Sequence, residues 1–241
     1  MSAGELATDA AMVLAAGMGK RMRPLTATQP KPLVRVSGRA LIDHTLDRLD
    51  EAGVAKAVVN VHYLADALEA HLAQRAASPE ISISDERDLL LDTGGGMANA
   101  LCRLPDPFFC LNSDNIWLDG PRNALQELSD AWDPARMDAL LLVVSHARAL
   151  NHRGKGDFHL DPVGRISRRR SGRIAPFIYT GIQLVSHRLL GEATEGPFGT
   201  MMLWERAMER GRLFGLSHNG LWFEVGEPSA IAPTEARLGR G

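Results

Sequence analysis

Near its amino terminus the chain reads LAAGMGKRMRPLTATQPKPLV, from Leu14 to Val34. The stretch begins at the end of an apolar run, Met12–Ala15, which predicts a buried strand. Gly17 and Gly19 allow backbone N–H groups to approach a polyphosphate, and the lysine and arginines that follow supply positive charge. The turn is therefore a candidate phosphate-binding loop, although a structural tight turn would also use such a glycine pair.

The spacing excludes two common phosphate-binding loops. A P-loop needs a glycine where Leu14 stands, and serine or threonine where Arg21 stands. The dinucleotide-binding fingerprint needs a third glycine where Met22 stands, and Pro24 is awkward for immediate helix propagation. The turn is thus a different kind of phosphate loop, if it binds phosphate at all.

Lys31 lies between two prolines, Pro30 and Pro32. Proline fixes its own backbone dihedral and restricts the residue before it, so the lysine side chain is aimed with little conformational freedom. This suits a positive charge held on a phosphate group. A surface lysine in a proline-rich turn is the alternative.

Short apolar runs alternate with amphipathic segments over about the first 145 residues. The predicted strands are Met12–Ala15, Ala57–Val61, a segment around Ile81 and Ile83, Phe108–Leu111 and Leu140–Val144, with helices predicted between Leu41 and Gly53 and between Leu64 and Leu72. Nearly continuous apolar strands separated by helices predict an α/β fold, Rossmann-like, with a mainly parallel sheet covered by helices on both faces.

The pattern changes after Ser145. Five short strands are predicted there, at Phe158–Leu160, Gly164–Ser167, Phe177–Val185, Leu213–Leu216 and Leu221–Val225, together with one helix over Thr200–Arg210. We expect these to be small antiparallel additions that continue one domain spanning residues 1–241.

The composition is that of a globular protein. Of 241 residues, 45% are hydrophobic and 23% charged, which excludes disordered and fibrous classes. The formal charge of −2 provides no basic excess for sequence-independent nucleic-acid binding. Cys102 and Cys110 cannot form a disulfide framework, which indicates a reducing compartment. The short acidic segment 2–9, together with the lack of an apolar run of about 18 residues, predicts a cytoplasmic protein without a membrane partner.

Four further motifs lie at wide intervals along the chain. They are Asp92-Thr93-Gly94-Gly95-Gly96, Asn112-Ser113-Asp114, Gly154-Lys155-Gly156-Asp157-Phe158 and Trp222-Phe223-Glu224-Val225-Gly226. Together with residues 14–34 they resemble the sugar-1-phosphate nucleotidyltransferases, and more narrowly the short bacterial N-acetylmuramate α-1-phosphate uridylyltransferases. The resemblance runs from residue 11 to about residue 230, so it covers nearly the full length.

The resemblance implies the nucleotidyltransferase fold and transfer of UMP from UTP to N-acetylmuramate α-1-phosphate, with release of pyrophosphate, in peptidoglycan recycling. It implies a nucleotide-binding half over about residues 10–145 and a sugar-binding half over about 146–241. The nucleotide-binding residues that it implies are Gly17, Gly19, Lys20, Arg21, Lys31, Thr93, Gly94, Gly95 and Asn112, with Arg21 and Lys31 also catalytic. Residues Thr93–Gly96 would form a nucleobase loop ahead of a helix over Met97–Leu104, although a flexible loop and helix cap would have the same sequence.

Two carboxylates, Asp114 and Glu224, are Mg²⁺ ligands by the same resemblance. On position alone Asp114 could equally be a turn or capping aspartate, although acids that follow strands of an open α/β sheet face its ligand crevice. The family pattern usually has aspartate where Glu224 stands. The extra methylene moves the carboxylate by about 1.5 Å, so coordination could be direct or through water.

The sugar-binding residues implied by the resemblance are Asp157 and Gly181. Asp157 would accept hydrogen bonds from sugar hydroxyls, and Gly181 would leave room for the ring; a solvent-exposed turn and core packing, respectively, are the alternatives. The role of Lys155 stays open.

Besides this uridylyltransferase, two other functions are compatible with these residues. The same chemistry could act on another substrate, as in a mannose- or heptose-1-phosphate guanylyltransferase. A non-catalytic nucleotide-sugar-binding regulatory module is supported only by glutamate at position 224. The sequence leaves open whether the protein is a monomer or a homodimer.

Overall fold

The computed structural model describes residues 5–239, so residues 2–4 of the acidic segment lie outside the described residues. The strands are β1 Ala10–Leu14, β2 Arg35–Val36, β3 Arg39–Ala40, β4 Lys56–Val61, β5 Glu80–Asp85, β6 Phe108–Asn112, β7 Asn115–Leu118, β8 Ala139–Ser145, β9 Ala149–Leu150, β10 Phe158–Leu160, β11 Ile166–Arg168, β12 Phe177–Val185, β13 Leu213–Ser217 and β14 Leu221–Glu224. The helices are α1 Leu41–Ala52, α2 Ala65–Leu72, α3 Asp92–Ala100, α4 Ala124–Ala131, α5 His187–Leu190, α6 Thr200–Glu209 and α7 Ile231–Leu238. Within residues 5–239, none of these helices has the length and apolar character needed to cross a membrane.

Seven strands form the body of the central sheet in the order β5-β4-β1-β6-β12-β8-β13. The pairs β5–β4, β4–β1, β1–β6 and β8–β13 are parallel, and β12 runs antiparallel to both of its neighbours. Strands β10 and β11 extend the sheet from Phe177, at the start of β12. The predicted α/β fold with a mainly parallel sheet is therefore confirmed.

The sequence predicted antiparallel additions in the second half of the chain, but one strand there, β13, pairs in parallel. Strand β13 pairs in parallel with β8, and Leu213 lies opposite Ala139. Ala139 is also the partner of Val185, the last residue of β12. The chain therefore leaves the sheet and re-enters it at the same end, which makes β13 antiparallel to β12 and parallel to β8.

Alternate residues of each strand face opposite helical layers, because side chains along a strand point to the two faces in turn. Val13, Val59 and Leu111 belong to the apolar cluster that also contains the inward faces of α1, α2 and α4. Met12 and Val58 belong to the cluster that contains those of α3, α5 and α6. Helices thus cover both faces of the sheet.

A smaller sheet, in the order β7-β14-β9, lies beside the central one. A third apolar cluster packs against it and includes Met22 from the glycine-rich turn together with Phe223 and Val225 from β14 and its end. Met22 is fully buried there. The residue that breaks the dinucleotide-binding fingerprint therefore attaches the turn to the carboxyl-terminal part of the chain.

Candidate active site

A cavity of about 570 Å³ opens where β1 and β6 end, next to the glycine-rich turn. The carboxyl ends of parallel strands are the usual ligand-binding edge of an open α/β sheet. The residues that line the cavity are Leu14, Ala15, Ala16, Gly17, Met18, Gly19, Lys20, Arg21, Lys31, Pro32, Asn60, Leu90, Asp92, Thr93, Asn112, Ser113, Asp114 and Gly226. Eight of the predicted site residues are among them, and the other five, Gly94, Gly95, Asp157, Gly181 and Glu224, lie outside this lining.

The glycine-rich turn is folded back onto the segment that carries Lys31. Gly19 has a φ of +58°, and a Cβ at this position would lie 2.8 Å from the Cβ of Lys31. The Thr26 hydroxyl donates to the carbonyl of Gly19 at 2.8 Å. Glycine is therefore required at position 19 both by its backbone conformation and by this close approach. The turn and Lys31 form one continuous wall of the cavity.

Lys31 forms an ion pair with Asp114 on that wall. The Lys31 side chain is only 14% exposed and that of Asp114 is 29% exposed, so water screens the pair less than it would on an open surface. Lys20 and Arg21 line the same cavity, and both residues are exposed. The wall therefore carries three positive side chains and one carboxylate, which is the charge pattern that a polyphosphate and a metal ion require.

Glu224 reaches the same region from the smaller sheet. It lies directly opposite Asn115 in the antiparallel pairing of β14 with β7, which brings it beside Asp114. Its Oε1 lies 4.0 Å from Nη1 of Arg21. Its Oε2 accepts a hydrogen bond of 2.7 Å from Nδ1 of His152. Although Glu224 is not part of the cavity lining, it contacts a side chain that is.

The carboxylate pair suits Mg²⁺. This ion prefers oxygen ligands and in nucleotide sites is held by one or two carboxylates, with phosphate oxygens and waters completing its coordination. Asp114 and Glu224 are the two carboxylates predicted for this role, and their coordination of Mg²⁺ stays a prediction. No group of three or more His, Cys, Asp or Glu side chains within residues 5–239 is arranged to hold a metal. A metal at this site would therefore need oxygens from the substrate or from water.

The predicted glycine loop is instead part of a helix, which corrects the sequence interpretation. Helix α3 begins at Asp92, so the predicted helix over Met97–Leu104 starts too late. The N–H groups of Gly94 and Gly95 both donate to the carbonyl of Phe198, at 2.9 and 3.1 Å. A Cβ on Gly94 would overlap the Phe198 ring. These glycines allow the segment before α6 to pack on α3, and a nucleotide contact from them stays a prediction.

Asp157 has a hydrogen-bonding role within the sheet. Its Oδ2 accepts from the N–H of Tyr179 at 3.0 Å, and its own N–H donates to the carbonyl of Phe177 at 2.7 Å. These bonds hold the segment before β10 against β12. The predicted contact of Asp157 with a sugar hydroxyl stays a prediction.

Gly181 lies at the irregularity of β12, where the register with β8 shifts between Tyr179 and Ile182. Its φ is +80°, and a Cβ there would overlap Nδ2 of Asn115 and lie 2.7 Å from Nδ2 of Asn112. Because Asn112 lines the cavity, Gly181 adjoins the site through this side chain. A direct contact of Gly181 with the sugar stays a prediction.

Two polar residues, Asn60 in the cavity lining and Glu86 hydrogen-bonded to it, were missed by the sequence reasoning. Asn60, which is buried, donates from Nδ2 to Oε1 of Glu86 at 2.8 Å and accepts the N–H of Ala15 at 2.6 Å. Glu86 is only 3% exposed, and its Oε2 accepts from the N–H of Leu91. An asparagine inside the otherwise apolar run Ala57–Val61 was the available signal. This network fixes the end of β1, from which the glycine-rich turn departs.

Comparison with known proteins identifies a family from the sequence and a shared fold from the structure. Residues 10–151 match the Nucleotidyl transferase family. The chain is 47% identical over 232 residues to an N-acetylmuramate alpha-1-phosphate uridylyltransferase of Caulobacter vibrioides, covering 95% of this chain and 96% of that protein. It is 33% identical to the protein of the same name from Neisseria meningitidis serogroup B, covering 95% and 98% of the two chains.

Among solved structures, the inositol-1-phosphate CTP transferase from T. maritima superimposes with a TM-score of 0.77. The match covers 97% of this chain and 96% of that one at 19% sequence identity. At this identity the likeness concerns the fold.

Proposed function

Since the chain belongs to the nucleotidyl transferase family, we propose that this enzyme transfers UMP from UTP to N-acetylmuramate α-1-phosphate. The products are UDP-N-acetylmuramate and pyrophosphate, which assigns the enzyme to peptidoglycan recycling. The choice of base and sugar is supported by the 47% identity to the Caulobacter vibrioides protein of that name, which extends over 95% of the chain. Because the reaction consumes a nucleoside triphosphate, we place it in the cytoplasm.

One observation carries the chemical part of the proposal, namely that the ion pair of Lys31 with Asp114 lies on a cavity wall formed by the glycine-rich turn. In the reaction a phosphate oxygen of the sugar phosphate attacks the α-phosphorus of UTP. The bond from the α-phosphorus to its bridging oxygen breaks, and pyrophosphate leaves with that electron pair. The attacking oxygen is already ionised, so no general base has to remove a proton.

The protein's task is then to hold two anions in line against their mutual repulsion. Lys31 offers an ammonium group that is fixed by the flanking prolines, and Arg21 extends from the turn with its guanidinium near Glu224. In our proposal both side chains contact phosphate oxygens and are catalytic, while Gly17, Gly19 and Lys20 bind the nucleotide tail. Thr93, which also lines the cavity, contacts the nucleobase, and Asn112 contacts the nucleotide or the sugar.

Asp114 and Glu224 would hold a Mg²⁺ ion. When bound, such an ion would supply positive charge that stabilises the negative charge developing during transfer. On the sugar side we propose contacts from Asp157 and from the space beside Gly181. The nucleotide-binding half and the sugar-binding half form one domain, an arrangement supported by the insertion of β12 between β6 and β8.

Pyrophosphate release tests this proposal directly. The purified protein with Mg²⁺ is assayed against UTP, GTP, CTP and dTTP, each combined with N-acetylmuramate, N-acetylglucosamine, mannose and heptose 1-phosphates. Release is expected with UTP and N-acetylmuramate α-1-phosphate. Activity with GTP alone would identify a guanylyltransferase. Nucleotide binding without release from any pair would identify a non-catalytic binding module.

A further inference from the structure

His152 contacts a proposed metal ligand but has no part in the function described so far. Its Nδ1 lies 2.7 Å from Oε2 of Glu224, and its side chain is 14% exposed. A carboxylate oxygen only accepts hydrogen bonds, so Nδ1 carries the proton of this bond. We propose that His152 is a positioning residue that holds the Glu224 carboxylate in the orientation in which its other oxygen faces the metal. The inference rests on the proposed function only in taking Glu224 as a ligand.

The smaller sheet explains why this contact forms. Strand β14 has β7 on one side and β9 on the other, and Leu150 of β9 lies opposite Phe223. The chain leaves β9 two residues before His152, so the imidazole arrives beside Glu224 from the side opposite to Asp114. Glu224 is therefore held between the strand that leads from Asp114 and the segment that carries the histidine.

The backbone on both sides of His152 is fixed. Asn151 has a φ of +65°, and its Nδ2 donates to Oγ1 of Thr234 on α7 at 2.9 Å. On the other side, the N–H of Ala175 donates to the carbonyl of Lys155 at 2.8 Å. The imidazole itself lies near the ring of Trp222, with ring centroids 6.2 Å apart. Because both flanks are anchored, the histidine can determine the orientation of the more exposed glutamate side chain.

Gly154 limits where the imidazole can lie. A Cβ at this position would overlap Nε2 of His152 and lie 2.7 Å from its Cε1. Nε2 is buried and has no hydrogen-bond partner within residues 5–239. A methyl group at position 154 would therefore push the ring away from its present place, while leaving the histidine in the chain. The φ of Gly154 is not positive, so alanine adds no left-handed strain there.

The length of the glutamate side chain explains why a hydrogen bond from His152 is needed at position 224. Aspartate at position 224 would have one rotatable bond fewer, whereas glutamate loses more rotamer freedom when its carboxylate is fixed. A hydrogen bond from a fixed imidazole selects one of those rotamers before the metal binds. Groups that orient a ligand in this way typically change metal affinity by about 10–100-fold when they are removed.

The test measures metal binding without turnover. Mn²⁺ replaces Mg²⁺, UTP is present and the sugar phosphate is omitted, so that electron paramagnetic resonance reports the affinity and line shape of the bound ion. Four variants are compared with the wild type: His152→Gln, His152→Asn, Gly154→Ala and, as a control on an exposed histidine of β10, His159→Gln. The asparagine amide nitrogen can occupy the position of Nδ1, whereas the glutamine nitrogen extends toward the position of Nε2. Thermal unfolding of each variant is measured alongside.

His152→Gln and Gly154→Ala are expected to weaken Mn²⁺ binding by about 10–100-fold, while His152→Asn stays within about threefold of the wild type and His159→Gln matches it. Wild-type affinity in both His152→Gln and Gly154→Ala would overturn the inference, and so would equal losses in the asparagine and glutamine variants. If the wild type binds Mn²⁺ with GTP and not with UTP, the proposed function fails, and the same variants then test His152 with GTP.

Discussion

Glu224 lies directly opposite Asn115 in the antiparallel pairing of β14 with β7, and this register brings two carboxylates from distant parts of the sequence to one place. Directly opposed residues of an antiparallel pair have Cα atoms about 4.5–5.5 Å apart. Asp114 is the chain neighbour of Asn115 and faces the cavity. The smaller sheet is thus what makes a two-carboxylate metal site geometrically possible.

Replacing Glu224 tests whether this pair is used. Glu224→Ala removes one of the two proposed ligands and should lower kcat by about 100-fold or more, which is typical for loss of one group that stabilises developing charge. Glu224→Asp keeps the charge and should retain turnover within about tenfold. Both effects are measured as steady-state pyrophosphate release over a range of Mg²⁺ concentrations. Full activity of the alanine variant would show that Glu224 is not a metal ligand.

Lys31 is expected to act as a fixed positive charge. Lys31→Met retains much of the side-chain volume but leaves Asp114 without its ion-pair partner, so kcat/KM for UTP should fall by about 10²–10³-fold. Lys31→Arg should not restore it, because a planar guanidinium does not replace a compact ammonium in a tight site. Lys56→Met, at the exposed start of β4, is the matched control and should behave like the wild type. A kcat/KM in Lys31→Met equal to that of the control would contradict the catalytic role.

Much of the fold could be predicted because its signals are local. Buried strands such as β1 and β6 are short apolar runs, and α1 ends at Ala52, directly before Gly53, whose φ is +88°. The direction of β13 could not be predicted, because it depends on which end of the sheet the chain re-enters after α6. Three consecutive glycines predict a loop, because glycine disfavours helices. In the structure they lie in α3, where Gly94 and Gly95 pack against Phe198 and a Cβ on Gly96 would lie 2.8 Å from Nδ2 of Asn60.

In the candidate site too, residues that are close in sequence could be predicted, and residues brought together by the fold could not. The turn around Gly19 and Lys31 is contiguous in sequence, so its composition indicated a phosphate site. His152 could not have been found from spacing, because its partner Glu224 is brought to it only by the pairing of β9 with β14.

Gly181 should be irreplaceable for two separable reasons. Gly181→Ala meets a left-handed backbone, with φ of +80°, and overlap with the amide of Asn115. Gly38→Ala meets the same backbone condition, with φ of +79°, but has no atom within 4 Å of its Cβ. The Gly38 variant should lose about 1–2 kcal/mol, and each kcal/mol lowers the Tm by about 2–4 °C. The Gly181 variant should lose clearly more, and equal losses in the two variants would show that the asparagine contact costs nothing.

Replacing Gly94 by alanine should destabilise the protein, although the same change in a helix usually stabilises it. In an exposed helix interior, alanine is about 1 kcal/mol more favourable than glycine. Here a Cβ would overlap the Phe198 ring and lie 2.9 Å from the Phe198 carbonyl oxygen. Gly94→Ala is therefore expected to lower the Tm and to separate the segment before α6 from α3. Thermal unfolding measures this, and a Tm at or above that of the wild type would be inconsistent with the contact.

His218 should make the protein less stable in mild acid. Burial lowers the pKa of His218 below its usual value of 6.5, and the carbonyl of Leu118, 3.1 Å from Nε2, only partly offsets this effect. Its Nδ1 is buried and has no hydrogen-bond partner within residues 5–239, so a second proton would be unpaired. The unfolded chain therefore binds more protons than the folded one below about pH 6.5, and the free energy of unfolding falls as the pH is lowered toward the depressed folded-state pKa.

Replacing this histidine should reduce that dependence. In His218→Gln the group no longer titrates, so the loss of unfolding free energy between about pH 8 and about pH 5.5 should be smaller than in the wild type. Urea unfolding at both pH values measures the difference. His159→Gln removes an exposed histidine of β10 and should retain the wild-type dependence. Burial also lowers the pKa of His44, so some acid sensitivity will persist in His218→Gln. A pH dependence identical to that of the wild type would mean that His218 titrates alike in the folded and unfolded states.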